Sequence, residues 1–162
     1  MSLTIKKNSA LTVAEYFINK SNSEKKPITN KKLQKLLYYA QVWSYTVSDK
    51  KIFKEKIEAW VHGPVVPEVY FEYKSFGFNP IKLDTSEIEF DKVLSEKQIE
   101  LLDTIWILYG KYDAPYLEAL THSELPWQDA RKDVSPVMAS DNEIDLKLAK
   151  KFYGAKLRPK TA

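Results

Sequence analysis

Cysteine is absent from the 162-residue chain. This absence excludes a disulfide framework, thiolate zinc sites and cysteine nucleophiles, and it fits a reducing cytoplasm, where we expect the protein to act. Long apolar runs are also missing, because no stretch approaches the roughly eighteen apolar residues of a membrane span. The N-terminal residues lack the apolar region of a signal peptide. We therefore expect no membrane among the partners.

Glycine is scarce, with four residues in the chain. Few glycines beside many leucines, lysines and glutamates favour helices over a turn-rich all-β fold. Hydrophobic residues make up 44% and charged residues 29%, as in globular proteins. The length fits one domain. We predict a single compact, mainly α domain over 1–162, with about six helices, its core at about 12–153 and short flexible termini.

Apolar residues recur at helical spacing, and capping residues mark where the helices begin. Thr12 and Glu15 form a predicted capping box for a first helix of about eight residues, with a loop at 19–26. Thr29 is the predicted N-cap of the second helix. The buried stripe predicted for this helix comprises Leu33, Leu36, Leu37, Ala40, Trp43 and Val47. Further predicted helix starts are Pro67, the capping box at Ser95 and Gln98, Asp113, Pro126 and a cap at 140–143, with helix ends at Gly77 and Gly154.

A small β element is predicted between the helices. Apolar and polar residues alternate at 57–61, which indicates a half-buried strand, and short strands near 80–90 are predicted to pair with it. Gly63 ends the first strand. Pro64 and Pro67 each restrict φ and lack an amide donor, so the backbone between them has little freedom.

The sequence contains no enzyme signature. Its two histidines, His62 and His122, are not accompanied by HExxH, HxH or thiolate ligands. A GxSxG nucleophile turn and the glycine-rich loops that bind nucleotides are also missing. We therefore predict a protein that is not an enzyme, with no catalytic residues, no metal site and no cofactor.

Nucleic-acid binding is an alternative prediction. It is based on a cluster formed by Lys25, Lys26, Lys31, Lys32 and Lys35 near Tyr38 and Tyr39. Lysines beside aromatic rings can neutralise phosphates while the rings stack on bases. A solvated helix face or a surface for an acidic protein explains the same lysines. The net charge of +3 and the lack of a zinc finger or RNP motif argue against nucleic acid as the partner.

The chain resembles the Panacea domain of SocA-like antitoxins in the order of several residue blocks. The first two blocks are LQKLLYYAQVW at 33–43 and IEAWVHGPVVPEVY at 57–70. Later blocks are 73–77, Thr121 with His122, and 126–131. The family is also seen among phage-associated and prophage proteins related to GepA.

The resemblance implies a mainly α fold and a specific role. The chain is expected to be the antitoxin of a toxin–antitoxin system that neutralises a cognate toxin, encoded by an adjacent gene, through direct protein–protein binding. One branch of the family instead acts as an adaptor that delivers its toxin to a ClpXP-type protease. A phage interaction protein unrelated to toxins is a further alternative. The resemblance carries over no catalytic residue.

Interface centres favour tryptophan, tyrosine and arginine side chains. On this basis the predicted partner surface comprises Tyr39, Trp60, His62, Tyr70 and Arg131. The predicted turn residues Gly63, Pro64 and Pro67 would hold part of this surface in one conformation, which lowers the entropy lost on binding.

Overall fold

The computed structural model describes residues 8–157, so the parts of the predicted flexible termini at 1–7 and 158–162 lie outside the described residues. The helices of the described part are α1 Ala10–Glu24, α2 Asn30–Ser48, α3 Pro67–Tyr73, α4 Glu96–Tyr109, α5 Ala114–His122, α6 Leu125–Ala130 and α7 Leu146–Leu157. A two-stranded antiparallel sheet is formed by β1 Glu58–Trp60 and β2 Gly63–Val65. The predicted class, a single compact and mainly α domain with a small β element, is confirmed.

Helix α2 lies at the centre of the core and packs against α1, α3, α4, α5, α7 and β2. Thr29 caps it as predicted, because its hydroxyl accepts the Lys32 N–H at 3.2 Å. The fully buried members of the predicted stripe are Leu33, Leu36, Leu37 and Ala40. Trp43 is half-buried. The prediction is wrong for Val47, which is 59% exposed because the last turn of α2 extends beyond the core.

Helix α1 begins earlier and ends later than predicted. Ser9 is its N-cap and accepts the Leu11 N–H at 3.2 Å, while Thr12 is buried within the helix, so the capping box predicted at Thr12 is wrong. Most of the predicted loop at 19–26 is helical, and the chain turns at Lys25 with φ of +54°. Packing against α2, α3 and α4 outweighs the polar composition of the last turns.

The second strand of the sheet is β2 rather than a segment near 80–90. In the hairpin, Trp60 of β1 lies opposite Gly63 of β2. The described backbone at 80–90 forms no strand, and this part of the prediction is wrong. Its apolar side chains pack on helices instead, since the rings of Phe90 and Tyr16 meet edge to face at a centroid distance of 5.2 Å.

Helix α7 begins at Leu146, so the cap predicted at 140–143 is wrong. The backbone there runs beside β1, where the Ala59 N–H donates to the Asn142 carbonyl at 2.8 Å. Chain that pairs with a strand in this way cannot also form the first turn of a helix. Gly154 lies inside α7 rather than at its end.

The other predicted helix boundaries agree with the structure. The capping box before α4 is complete, because Ser95 accepts the Gln98 N–H at 3.1 Å and donates its own N–H to the Gln98 side chain at 2.9 Å. Asp113 accepts a backbone N–H of α5 at 3.0 Å. Pro67 is the first residue of α3. A 3-10 helix at Lys74–Phe76 continues α3, and Gly77 ends it with φ of +59°.

Candidate protein-binding groove

A groove of about 1010 Å³ opens beside the β-hairpin. Its walls are the first turns of α2, the hairpin, α3 and the backbone at 139–141, and apolar atoms form most of its lining. Trp60, His62 and Tyr70 line it together, so the structure groups three residues of the predicted partner surface. The other two, Tyr39 and Arg131, lie elsewhere.

An aromatic cluster, formed by Trp60, Tyr70 and Phe71, stands at this groove. The ring centroids of Trp60 lie 5.0 Å from Tyr70 and 6.3 Å from Phe71, and Tyr70 lies 5.4 Å from Phe71. All three pairs meet edge to face, the arrangement that aromatic quadrupoles favour. The Trp60 indole N–H donates to the Glu58 carboxylate at 2.9 Å. These contacts hold the three rings in one geometry.

Large apolar side chains on both sides of the groove are exposed to solvent. Phe71 is 59% and Phe78 is 95% exposed on the α3 side. On the opposite side, Val137 is 81% and Met138 is 59% exposed, directly before the lining segment 139–141. Exposed apolar patches beside a groove indicate an interaction site. Aromatic residues and methionine are also enriched in protein interfaces.

The sequence prediction missed these four residues, although the pattern of α3 contained a signal for Phe71. Val69 and Tyr73 are buried and lie four positions apart, which defines the inner face of a short helix. Phe71 lies midway between them and therefore points outward. We find no comparable pattern that would have placed Val137 or Met138 beside the groove.

Side chains of α2 close the free edge of β2. The Lys35 ammonium donates to the Pro64 carbonyl at 3.3 Å, and the Val66 N–H donates to the Gln34 side chain at 2.9 Å. Unpaired strand edges invite pairing with other chains. Because side chains of α2 already satisfy these two backbone groups, this part of the strand edge cannot pair with a partner strand. A partner in the groove would contact side chains instead.

A buried amide pair joins α2 to α3. The Gln34 amide donates to the Asn30 side chain at 2.9 Å, and the Asn30 amide donates to the Tyr70 carbonyl at 3.0 Å. Both amides are almost fully buried, so breaking either bond would leave a polar group without water. This pair fixes the backbone that presents Tyr70 to the groove.

Gly63 permits the close approach of the hairpin to α2. Its φ is +112°, a conformation that L side chains rarely adopt. A Cβ atom at this position would lie 2.5 Å from the Lys35 Cε atom and 3.1 Å from the Thr121 hydroxyl. The hairpin therefore requires glycine here, because any other residue would strain the backbone and its Cβ atom would clash with Lys35.

Lys31 and His62 converge on Glu118 near one wall of the groove. Lys31 forms an ion pair with the Glu118 carboxylate, and His62 approaches it at 3.4 Å. Burial opposes ionisation of Glu118, but the hydrogen bonds from Lys31 and His62 outweigh this effect and keep its pKa below the ordinary value. The two lysines at this wall, Lys31 and Lys35, both line the groove.

Lys35 is a buried lysine that was predicted to lie off the buried stripe. Only 1% of its surface is exposed. Burial lowers the pKa of Lys35 to about 7, Glu118 partly counters this effect, and Lys31 adds to it. The sequence pattern assigned this lysine to the outer face because the hairpin that covers it comes from a later segment.

We expect stability to depend on pH through Lys35. Between pH 7 and roughly pH 10 the unfolded chain keeps a proton that folded Lys35 has lost, so the free energy of unfolding rises with pH in this window. The slope is about 1.4 kcal/mol per pH unit at most. Urea unfolding at pH 7 to 9 should show this rise for the unmodified chain and not for Lys35→Met. If the free energy of unfolding changed with pH in the same way in both proteins, this prediction would be contradicted.

Tyr39 lies in the interior, so the prediction that it belongs to the partner surface is corrected. Its exposed fraction is 0%. The hydroxyl donates to the Glu124 carboxylate at 2.7 Å, and the ring stacks on Tyr109 at 3.9 Å. Burial raises the pKa of Glu124, although the hydrogen bonds from Tyr39 and Tyr153 oppose the shift. The sequence contained a signal: 36–48 has no charged residue, which is typical of a helix buried on every side.

Arg131 is also buried, with 4% of its surface exposed, so its predicted place on the partner surface is corrected. Its guanidinium donates to the carbonyls of Ala59 at 2.8 Å, Ser135 at 3.0 Å and Met138 at 2.5 Å. It also lies 5.4 Å from the centroid of the Trp127 ring. Arg131 therefore holds the segment that carries Met138 against β1, and it contributes to the groove indirectly.

The second histidine lies in a structural position. His122 stacks on Trp127 at 3.9 Å, and burial lowers its pKa. Within residues 8–157, no group of three or more histidine, aspartate or glutamate side chains is arranged to hold a metal ion. No helix over the same range combines the length and the apolar character needed to cross a membrane.

Several of the groups on which the nucleic-acid alternative depends are engaged within the protein. Tyr38 and Tyr39 are buried and cannot stack on bases in this conformation. Lys35 is buried as well, and Lys31 is paired with Glu118. Tyr38, Tyr39 and Lys35 therefore do not lie on the surface of the fold, whereas Lys25 and Lys26 are exposed.

Comparison with known proteins identifies a family. A family model described as "Antitoxin SocA-like, Panacea domain" matches residues 33–128, which is more than half of the chain. The match includes α2 from Leu33 onward, the hairpin and α3, and thus most of the groove. Searches of curated proteins and of solved structures found no match.

Proposed function

Since the chain belongs to the family of SocA-like antitoxins with a Panacea domain, we propose that it neutralises a cognate toxin by binding it directly in the groove beside the hairpin. The family supports an antitoxin role and implies a toxin partner in general. Our proposal adds that neutralisation is direct, that the groove is the binding site and that an adjacent gene encodes the toxin.

The proposal rests on the aromatic cluster and on the exposed apolar side chains around it. Trp60 and Tyr70 are held in fixed positions, and Phe71 and Phe78 leave large apolar surfaces in water. Covering such surfaces is favourable by roughly 25 cal/mol per Å² of apolar area. Because hydrogen bonds from α2 hold the hairpin and α3 in place, we expect little conformational entropy to be lost when a partner binds.

The proposal is tested by co-expression. Each open reading frame adjacent to this gene is induced with and without the chain, and growth is recorded. We expect one neighbour to arrest growth, the chain to restore it, and the two proteins to purify together. A toxic neighbour that the chain does not rescue, or rescue without a complex, would contradict direct neutralisation.

The same experiment separates a direct inhibitor from a proteolytic adaptor. Toxin levels are followed in cells with and without the ClpXP-type protease. A direct inhibitor leaves the toxin intact and rescues growth in both strains. An adaptor removes the toxin and rescues growth only where the protease is present, which would overturn our proposal in favour of the adaptor.

We expect Trp60→Ala to weaken toxin binding by roughly 30-fold or more, because a tryptophan at an interface centre typically contributes at least 2 kcal/mol. The measurement is titration calorimetry with the purified toxin. Tyr116→Ala is the matched control, since Tyr116 is a 49%-exposed aromatic residue on α5, away from the groove lining. Circular dichroism verifies that both variants fold. Equal affinity of the two variants would remove Trp60 from the interface.

A further inference from the structure

We propose that the groove binds an amphipathic helix of its partner, and that the stripe of this helix which enters the groove carries no charged residue. The inference rests on the proposed function for the identity of the partner, a toxin. It specifies the conformation and the chemistry of the segment that binds. Its support comes from the edges of the hairpin, from the size of the groove and from the pairing of the charged groups that line it.

The outer edge of β1 is already paired with other parts of the chain. The Ala59 N–H donates to the Asn142 carbonyl at 2.8 Å, and the Ile144 N–H donates to the Ile57 carbonyl at 2.9 Å. The Ala59 carbonyl accepts a hydrogen bond from the Arg131 guanidinium at 2.8 Å. These three backbone groups of β1 and its preceding residue are therefore not free to pair with a strand of a partner.

The outer edge of β2 is closed by α2 and α3. The Pro64 carbonyl accepts a hydrogen bond from Lys35, and the Val66 N–H donates to Gln34. Pro64 has no N–H of its own to offer. The Val66 carbonyl accepts the Tyr70 N–H at 3.0 Å, in the first turn of α3. Because both edges of the hairpin are occupied at these positions, a partner segment cannot bind here by adding a strand to the sheet.

A helix suits the groove better than an extended segment. Apolar atoms form most of the lining, so the backbone N–H and C=O groups of an extended segment would lose water without gaining hydrogen bonds. A helix satisfies these groups internally and presents its side chains. The groove volume of about 1010 Å³ also matches two turns of helix, which fill roughly 850 to 1200 Å³ at a diameter of 10 to 12 Å and a pitch of 5.4 Å.

The charged side chains that line the groove are balanced. Lys31 is already in an ion pair, and Lys35 is buried and hydrogen-bonded to the hairpin. Glu58 accepts an indole N–H at 2.9 Å. Lys74 and Asp141 add one charge of each sign. Since neither sign is in excess, charge complementarity favours an uncharged stripe on the partner helix.

Apolar side chains stand on two sides of the groove and can hold a helix between them. The aromatic cluster and Phe78 lie on the α3 side, and Val137 and Met138 lie on the other. The apolar stripe of an amphipathic helix is about 100° wide or more and repeats at i, i+3, i+4 and i+7. A stripe of this width can contact both sides over two turns, while the polar face of the helix stays in water.

The test uses peptides, so it does not depend on finding the toxin. Random peptides of about 16 residues, long enough to form a helix, are displayed on phage and selected against the full chain, with counter-selection against the support alone. We expect enrichment of apolar residues at helical spacing, with no charged residue among them. Synthetic versions should gain helical circular dichroism on binding. Their affinity should change by less than about twofold between roughly 0.05 and 0.5 M salt.

Helicity is tested by substitutions in the peptide at a central position outside the apolar stripe. Proline there should weaken binding roughly a hundredfold, because it is unfavourable in a helix interior by about 3 kcal/mol relative to alanine. Alanine at the same position is the matched control and should bind like the parent peptide. Equal affinity of the proline and alanine versions would show that the bound segment is not a helix.

Variants of the protein locate the binding site. Phe78 lines the groove and is 95% exposed, so Phe78→Ser leaves the core intact. It should bind the peptides roughly tenfold more weakly, because a phenylalanine loses its apolar contact. Tyr116→Ala, away from the groove lining, should bind them like the unmodified chain. Peptides with alternating apolar residues or a charged stripe, no enrichment, or equal binding by Phe78→Ser would each overturn the proposal.

Failure here is distinguishable from failure of the proposed function. If the chain rescues growth from a neighbouring toxin and forms a complex with it but selects no helical peptides, the toxin is bound by other chemistry and this inference is wrong. If helical peptides bind in the groove but no adjacent gene encodes a toxin, the recognition chemistry is supported and the assignment of the partner is wrong.

Discussion

Gly63→Ala is expected to lower the free energy of unfolding by roughly 3 to 5 kcal/mol. Two costs combine at this position. Alanine is strained at φ of +112°, and its Cβ would lie 2.5 Å from the Lys35 Cε atom, under a hairpin that packs on α2. To make room, the hairpin or the buried lysine must shift. Chemical denaturation followed by circular dichroism measures the loss.

Gly77→Ala is the matched control for this prediction. Gly77 also has a positive φ, +59°, but no atom lies within 4 Å of the position that its Cβ would occupy. Gly77→Ala therefore introduces backbone strain of roughly 1 to 3 kcal/mol without a steric clash. We expect Gly63→Ala to be less stable than Gly77→Ala by at least about 1 kcal/mol. Equal stability of the two variants would show that the space beside Lys35 is not restrictive.

Arg131→Met is expected to cost roughly 3 kcal/mol of stability, since hydrogen bonds that involve a charged group contribute more than neutral ones. Methionine keeps an apolar stem against Trp127 but donates to none of the three carbonyls that Arg131 serves. The backbone at 135–144 should then exchange its amide hydrogens faster. Denaturation and hydrogen exchange by mass spectrometry measure the two effects.

Lys132→Met provides the comparison at the next position. Lys132 is exposed and contacts Asp129 at 3.9 Å, a surface ion pair that contributes about 1 kcal/mol at most. We expect near-normal stability and exchange in this variant. If Arg131→Met behaved like it, the guanidinium would not be what holds the segment before α7 against β1.

The helices illustrate how much of the fold follows from local chemistry. The caps at Thr29, Ser95 and Asp113 were predicted correctly, because a capping side chain and its backbone donor lie within three residues of each other. The caps predicted at Thr12 and 140–143 were wrong. In both places contacts with distant segments compete with the local hydrogen bonds, and the distant contacts prevail.

The partner surface shows where local reasoning ends. Trp60 and Tyr70 were predicted for it and do line one groove, and their binding role is a proposal. Tyr39 and Arg131 were chosen because their residue types suit interfaces, yet both are buried. Residue type indicates what a side chain can do, whereas exposure depends on which other segments cover it.

The sequence by itself determined the mainly α class, most helix boundaries, the rigid turn around Gly63 and the family to which the chain belongs. Tertiary structure alone decided that Lys35 is buried, that β2 completes the hairpin and that Phe78 is exposed beside the aromatic cluster. The physical reason is distance along the chain. Caps and helical periodicity act within a few residues, but burial and charge balance in the groove are set by segments as far apart as Lys31 and Glu118.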